Sequence, residues 1–193
     1  MVVGSTAAAP ADQGTPWLRI DGDDEAVAWR LERALERLTA GTGIPGTLVR
    51  VDGRGVLLAG DSGAGKSHTA LALLERGHTL IADDLVTLEG GSGAVVGRPA
   101  DPRAGGTLLP RGLGPLRVDR HFGRGAVATA SPIALVVALD PQAGTDELHS
   151  GWQGTGLLGR PLPRLALRPG PLIATLIEAG LRETRLAAGR EPG

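Results

Sequence analysis

The stretch VLLAGDSGAGKSHTALALLERGHTLIADD, Val56 to Asp84, constrains this chain more than any other part of it. Its centre, Gly60-Asp61-Ser62-Gly63-Ala64-Gly65-Lys66-Ser67, matches G-x-x-x-x-G-K-[ST], with an apolar strand pattern before it and a helical pattern after it. That is the context a phosphate-binding P-loop requires. Gly60, Gly63 and Gly65 let the backbone wrap an anion without side-chain clash, so that its N–H groups converge on it. The helix opening at Gly65 adds its positive end. Lys66 is placed to reach the β- and γ-phosphates, and the Ser67 hydroxyl is a hard oxygen ligand for Mg²⁺. Lys66 is also the only lysine among 193 residues, every other basic residue being arginine. A single ammonium kept inside a glycine-rich turn points to an NTP phosphate as its partner. The expected nucleotide-binding residues are therefore Gly60, Asp61, Ser62, Gly63, Ala64, Gly65, Lys66, Ser67 and His68.

Asp83 and Asp84 follow, 17 and 18 residues after Lys66, at the end of an apolar strand. In a P-loop fold a carboxylate at the end of a neighbouring strand holds the magnesium. One aspartate suffices for that. The second can then act as general base on an attacking hydroxyl, the alternative for Asp84 being a turn cap. The chain has no Asn and no second Lys. It therefore lacks both the Asn-Lys-x-Asp guanine reader of GTPases and the separate strand lysine and catalytic-loop Asn of eukaryotic-type protein kinases. ATP is the expected nucleotide.

Composition excludes several other classes. A net charge of −1 supplies no basic field for nucleic acid or an anionic membrane. Zero Cys excludes disulfides, thiolate zinc sites and a cysteine nucleophile, and zero Tyr with one Phe leaves few rings on which bases could stack. No stretch approaches the roughly 18 apolar residues of a membrane helix, and the first residues lack a signal-peptide pattern. A cytoplasmic protein is expected.

Periodicity predicts a single α/β domain without internal repeats. Residues 1–16 read as a disordered arm. Residues 17–43 read as a short preface, an edge strand at WLRI and a helix with Val27, Leu31, Leu35 and Leu38 on one face. The P-loop domain spans 44–189, with 190–193 as a tail. Within it, TLVRVDGRGVLLAG predicts a hairpin turning at Asp-Gly-Arg-Gly. KSHTALALLERG predicts a helix with Ala70, Leu71, Leu73 and Leu74 as its apolar face. HTLIADD predicts a strand that LVTLE continues, and Ala94–Val96 a short strand in a loop. Pro132 to Asp140 is an apolar run fit for a central strand. Residues 141–161 read as Gly-rich loop, LPRLALRPG as one more strand, and the segment from Pro171 as a last helix with Leu172, Ile173, Leu176, Ile177 and Leu181 on one stripe.

The run from Gly60 to Asp84, with RGLGPLRV at Arg111–Val118 and FGRGAV at Phe122–Val127, resembles the C-terminal catalytic domain of HPr kinase/phosphorylase. The resemblance covers about Ile44 to Gly189 and is densest from Gly53 to Asp84; the family's separate N-terminal domain has no counterpart beyond the preface. It implies a P-loop fold akin to phosphoenolpyruvate carboxykinase. It also implies a bacterial, ATP- and Mg²⁺-dependent serine kinase that acts on the phosphocarrier HPr, reverses with inorganic phosphate and forms hexamers. By position, Lys66 becomes the phosphate-binding lysine, Ser67 a magnesium ligand, Asp83 its support and Asp84 the base. Arg111 becomes the arginine of the glutamate-arginine-glycine signature.

Three departures stand out. Pro110 occupies the place of a glutamate magnesium ligand, Pro45 that of the catalytic histidine, and Pro171 that of a phosphate-handling arginine, for which Arg168 is a substitute. A proline side chain neither binds metal nor donates a hydrogen bond, which argues against the reverse, phosphorolytic reaction. Relatives without the full N-terminal domain include kinases of a serine on a precursor peptide, an acceptor class that fits as well as HPr. The alternatives are a catalytically weakened ATP-binding pseudokinase and a kinase of a small hydroxylated metabolite.

Glu89 and Asp119 are candidates to replace the missing glutamate. His68 reads as a solvent-facing helix residue, His78 as packing or turning the chain before its strand, and His121 and His149 as solvated. Trp17 and Trp29 read as core of the preface, and Trp152 as a loop residue able to meet a peptide. Arg111, Arg117, Arg120 and Arg124 read as a solvated series, with binding of an acidic substrate as the alternative.

Overall fold

The computed structural model describes residues 43–90, 93–143 and 151–188 and, before them, the backbone of two short strands. The chain divides into two compact units, Met1–Gly41 and Thr42–Gly193. In the first, β1 (Val2–Val3) pairs in parallel with β2 (Trp17–Leu18). Strand β2 falls where an edge strand was expected, whereas β1 lies inside the arm read as disordered; two adjacent β-branched valines favour the extended backbone. The helix expected in the preface lies outside the described residues.

The second unit is built on a nine-stranded mixed sheet. Its path runs β3 (Gly43–Pro45), β7 (Leu85–Gly90), β8 (Val95–Pro99), β11 (Ser131–Leu139), β5 (Arg54–Ala59), β4 (Thr47–Val51) and β6 (Thr79–Ala82). β12 (Trp152–Leu157) and β13 (Arg160–Leu167) branch from β11. A separate ribbon pairs β9 (Thr107–Leu108) with β10 (Leu116–Arg117). Three α-helices, α1 (Lys66–Leu74), α2 (Val118–His121) and α3 (Ile173–Ala188), and a 3-10 helix at Arg124–Ala126 complete the described residues.

Side-chain alternation distributes the core on both sheet faces. Val49, Val51, Val56, Leu58, Leu135, Val137 and Leu139 pack with Leu73, Leu74, Ile177 and Leu181 of α1 and α3. Leu48, Leu57, Ile81, Ile133 and Val136 pack on the other side with Val86, Leu88 and Val95, so β7 and β8 cover the face that the helices leave. The apolar run from Pro132 is the central strand, as its composition predicted: its first residues pair with β8 and the rest run parallel to β5 and β13. The hairpin β4–β5 turns on Asp52 and Gly53 alone, both at positive φ, 47° and 78°. That is the two-residue geometry matching strand twist, and Asn/Asp-Gly is its preferred sequence.

Three local expectations need correction. Strand β6 stops at Ala82, and β7 does not continue it: β6 pairs with β4, whereas β7 pairs with β3 and β8. The break falls at Asp84, which sits at φ 75°, a left-handed conformation that ends any strand. Residues 152–157 form β12, not loop, in a hairpin with β13 that turns on Leu158 and Gly159. Glycines at 154 and 156 hide the hydrophobic alternation that announces a strand. Third, two helix faces differ from the expected ones: Thr69 is buried on the apolar face of α1 and Leu71 only partly so, and of the stripe expected for the last helix Ile173, Ile177 and Leu181 are buried while Leu172 and Leu176 are exposed.

Candidate active site at the P-loop

Strands β5, β6, β11 and β13 all run in one direction, so the turn after β5, the end of β6 and the end of β13 lie at one edge of the sheet. In open α/β sheets this carboxyl edge is where ligands bind. The turn after β5 is the Gly60–Gly65 loop. A Cβ on Gly60 would stand 2.8 Å from the carbonyl oxygen of Leu139, so only glycine lets the loop leave β5 this close to β11. Gly65 is the N-cap of α1, with no side chain capping the helix and no acid in its first turn. The positive end of the helix and its unpaired N–H groups thus face the loop.

Lys66 folds back over the loop. Its Nζ donates to the carbonyl oxygens of Gly60 at 2.7 Å and Asp61 at 2.9 Å. These are neutral acceptors, which phosphate oxygens outcompete as partners of an ammonium. Residues Gly60 to Gly63 and His68 are exposed, and Ala64 to Ser67 are half-buried. The loop is open to solvent.

Asp83 is the organising carboxylate. Ser67 Oγ donates to it, at 3.2 Å from Oδ1 and 3.1 Å from Oδ2. Thr47 Oγ1 donates to Oδ1 at 2.6 Å, and the Leu109 backbone N–H donates to Oδ2 at 3.0 Å. Asp84, the next residue, holds its φ of 75° at the strand break, and its carbonyl accepts from the Gly46 N–H at 3.1 Å. A non-glycine residue in this region costs on the order of 1 kcal/mol or more, and such conformations concentrate where a site demands them.

Arg111 reaches the same place from far along the chain. Its Nη1 lies 3.3 Å from where a Cβ on Gly63 would stand, so the guanidinium rests on the P-loop. The turn that carries it is closed by Leu113 and Gly114 N–H groups donating to the Pro110 carbonyl. Pro110 itself is buried, and Pro45 and Pro171 are exposed. Pro169 approaches Gly65, 3.8 Å from its would-be Cβ, which brings the exposed Arg168 to the rim of the loop.

Other candidates sit elsewhere. Glu89 binds Arg98 at 2.8 Å, and it lies five residue steps of extended chain from Asp84, roughly 17 Å. Asp119 is engaged by Arg117 at 3.0 Å, and that guanidinium holds its carboxyl below the ordinary range. Neither carboxylate is among the partners of Ser67. Arg117, Arg120 and Arg124 are exposed, as is His121, whose ring meets Phe122 edge-on. Trp152, on β12, packs against Gly180 of α3 and with Pro163, Glu183 and Thr184 lines a cavity of about 410 Å³ on that side.

His78 packs, as expected. Its Nε2 lies 2.8 Å from Glu178 Oε1, and Arg76 grips the same carboxylate with two bonds of 2.7 Å. The Arg-Gly-His run after α1 thus ties β6 to the last helix rather than touching the loop. Sequence reasoning missed two partners of Asp83: Thr47, 36 residues away, and the Leu109 N–H, 26 residues away. A threonine opening a strand and a backbone amide carry no motif that could have announced them.

Known proteins resemble this arrangement. The family model described as HPr Serine kinase C-terminal domain matches residues 36–190. The chain is 36% identical over 167 residues to HPr kinase/phosphorylase of Treponema pallidum, covering 81% of this chain and 51% of that protein. It is 37% identical over 180 residues to HPr kinase/phosphorylase of Geobacillus kaustophilus, covering 90% and 58%. The solved HPr(Ser) kinase/phosphatase from Coxiella burnetii aligns with a TM-score of 0.69 at 28% identity, over 77% of this chain and 93% of that one. The chain spans roughly half to three fifths of the length of the curated relatives it matches.

Proposed function

The chain belongs to the HPr serine kinase C-terminal domain family, and from that premise we propose that it transfers the γ-phosphoryl group of ATP to a serine hydroxyl of a protein or peptide. The observation that supports this most is the meeting of Lys66, Ser67 and Asp83 beside Asp84 at one open edge of the sheet. An HPr-like protein and a precursor peptide are the two acceptor classes. By likeness to the family the chain acts in the cytoplasm as a homo-oligomer, a hexamer being the family's form; among the described residues no helix is long and apolar enough to cross a membrane.

The arrangement supports the following roles. The N–H groups of the Gly60–Ser67 loop, apart from that of Ala64, which donates to the Asp61 carbonyl at 3.0 Å, and the end of α1 hold the β- and γ-phosphates, and Lys66 leaves the Gly60 and Asp61 carbonyls to bind them. Ser67 Oγ and the Asp83 carboxylate are neighbouring hard oxygen donors, a set that fits Mg²⁺ and would hold it. When bound, the ion supplies neutralisation of the charge that builds on the phosphate oxygens. Asp84 accepts the serine proton as the serine oxygen bonds to the γ-phosphorus and the bond from that phosphorus to the bridging oxygen of ADP breaks. Arg111, resting on the P-loop, adds positive charge to the same oxygens, and Arg168 stands at the rim for the position where Pro171 offers none. The prolines at 45, 110 and 171 supply no acid, base or ligand, so phosphorolysis is not expected.

The same prolines favour one second reading, an ATP-binding module without transfer. The experiment that separates the two is transfer of label from γ-labelled Mg-ATP into HPr and into host lysate. Label on serine, lost in Lys66→Ala and Asp84→Asn, is the expected result. Bound ATP with no labelled product would replace the kinase reading by the second one, and a labelled small molecule would move the acceptor to a metabolite.

A further inference from the structure

We infer that Thr47 is a positioning residue of this site, whose buried hydroxyl sets the orientation of the Asp83 carboxylate toward the divalent cation that Asp83 and Ser67 hold. The inference rests on the kinase reading above and extends it to a residue that no motif names.

Topology places Thr47 there. Strand β4 lies antiparallel between β5 and β6, with Thr47 opposite Leu58 and Leu48 opposite Ala82. Its first residue therefore sits at the sheet edge where β5 enters the P-loop and β6 delivers Asp83. Alternation puts Thr47 on the face of Val49 and Val51, the face that α1 covers, and α1 begins with Lys66 and Ser67.

Thr47 is fully buried, 0% exposed, on a strand whose other residues on that face are valines. A hydroxyl in such a place is costly unless it is bonded, and valine would fill the same space without that cost. What the hydroxyl does is donate to Asp83 Oδ1 at 2.6 Å. A carboxylate only accepts, so the proton is on threonine. From the other side the Leu109 N–H holds Oδ2 at 3.0 Å. One fixed donor on each oxygen stops the carboxylate turning about its own bond. Both oxygens then keep their remaining lone pairs toward Ser67 Oγ, 3.1 and 3.2 Å away. Partners of this kind, behind a ligand, set metal affinity as well as geometry.

The test is the Mg²⁺ dependence of ADP binding, read by calorimetry on the full chain, for wild type, Thr47→Val, Thr47→Ala and Thr47→Ser. The valine and alanine variants are expected to weaken Mg²⁺ binding to the protein–ADP complex about tenfold or more. Metal-free ADP affinity should stay within about twofold, because Thr47 faces the carboxylate and not the phosphates. Serine keeps the hydroxyl and loses a methyl group, so it should restore Mg²⁺ affinity to near wild type. The alanine variant decides the matter if valine does not fold. Unchanged Mg²⁺ affinity in valine or alanine overturns the inference and leaves the kinase reading standing. A serine variant as weak as valine also overturns it, since packing rather than the hydroxyl would then be responsible. If wild type itself binds ADP no better with Mg²⁺ than without, the metal assignment fails and takes this inference with it.

Discussion

At the start of α1, Lys66 rests on two loop carbonyls and Ser67 on Asp83; just past its other end, Arg76 and His78 close on Glu178. The helix between is nine residues long, so roughly 13 Å separates the two clusters. Each brings a basic side chain and a carboxylate together, yet they differ in what their bonds leave over. Glu178 is 8% exposed and accepts three bonds from charged or chargeable groups, two of them the parallel pair of an arginine fork. That fork and the His78 bond hold its carboxyl at a pKa of about 2, against an ordinary value of 4.5, although burial acts in the opposite direction. Such a cluster is saturated and fastens elements together. At the P-loop, the partners of Lys66 among the described residues are neutral oxygens, and Ser67 donates to the Asp83 carboxylate. Its bonds exchange for those of a ligand at little cost. The number of charges does not separate structure from chemistry; the replaceability of their partners does.

That contrast can be tested from its strongest consequence downward. Asp84→Asn should lower phosphoryl transfer about a thousandfold, the range for removing a general base. ADP affinity and melting temperature should hold, because Asn tolerates the left-handed conformation that Asp84 adopts at φ 75°. Lys66→Ala should weaken ATP binding by about 2 kcal/mol, a charged hydrogen bond, or roughly thirtyfold in Kd by calorimetry. Its stability should change little, since only exposed bonds to the loop are lost.

Glu178→Gln should reverse that pattern. The fork to Arg76 is broken, and urea unfolding should show a loss of about 2 kcal/mol, below the full figure for a buried pair because the Arg76 side chain is 44% exposed and regains water. Transfer measured on the folded fraction should stay within about twofold. A Glu178 variant that lost activity while remaining folded would erase the distinction between the two clusters.

The pH dependence of stability should show the smallest effect. The folded-state pKa of Glu178 lies below its unfolded value, so the stability it contributes is fully present above about 4.5 and is lost as pH falls toward about 2. The urea midpoint should therefore decline more steeply between pH 4.5 and 3 in wild type than in Glu178→Gln. Parallel curves would mean that the fork does not act on the proton as its geometry requires.

Much of this was legible before any coordinates. The glycine-rich loop, its helix, the hairpin turn that opens at Asp52 and the central strand read from Pro132 are each set by contiguous residues, and glycine positions and apolar runs report such features directly; the turn proved shorter than Asp-Gly-Arg-Gly, using Asp52 and Gly53 alone. Less legible was the end of β6. Asp83 and Asp84 are poor strand formers, and that signal was present, but the apolar LVTLE after them suggested continuation. β12 was hidden because its glycines erase alternation, and pairing with β13 is what holds it extended. Arg111 could be named from its motif, but not its place against Gly63, 48 residues earlier.

By itself the sequence determined the glycine-rich turn and its lone lysine, because eight consecutive residues supply the glycines, the helix start and the cation. Local sterics leave such a run few other shapes. Only the tertiary structure decided how Asp83 is held. Its partners come from the first residue of β4 and from the turn before Arg111, and they meet only once β4 has slotted between β5 and β6. The direction of a carboxylate depends on donors placed to within tenths of an ångström, and strand register, not composition, sets positions that finely.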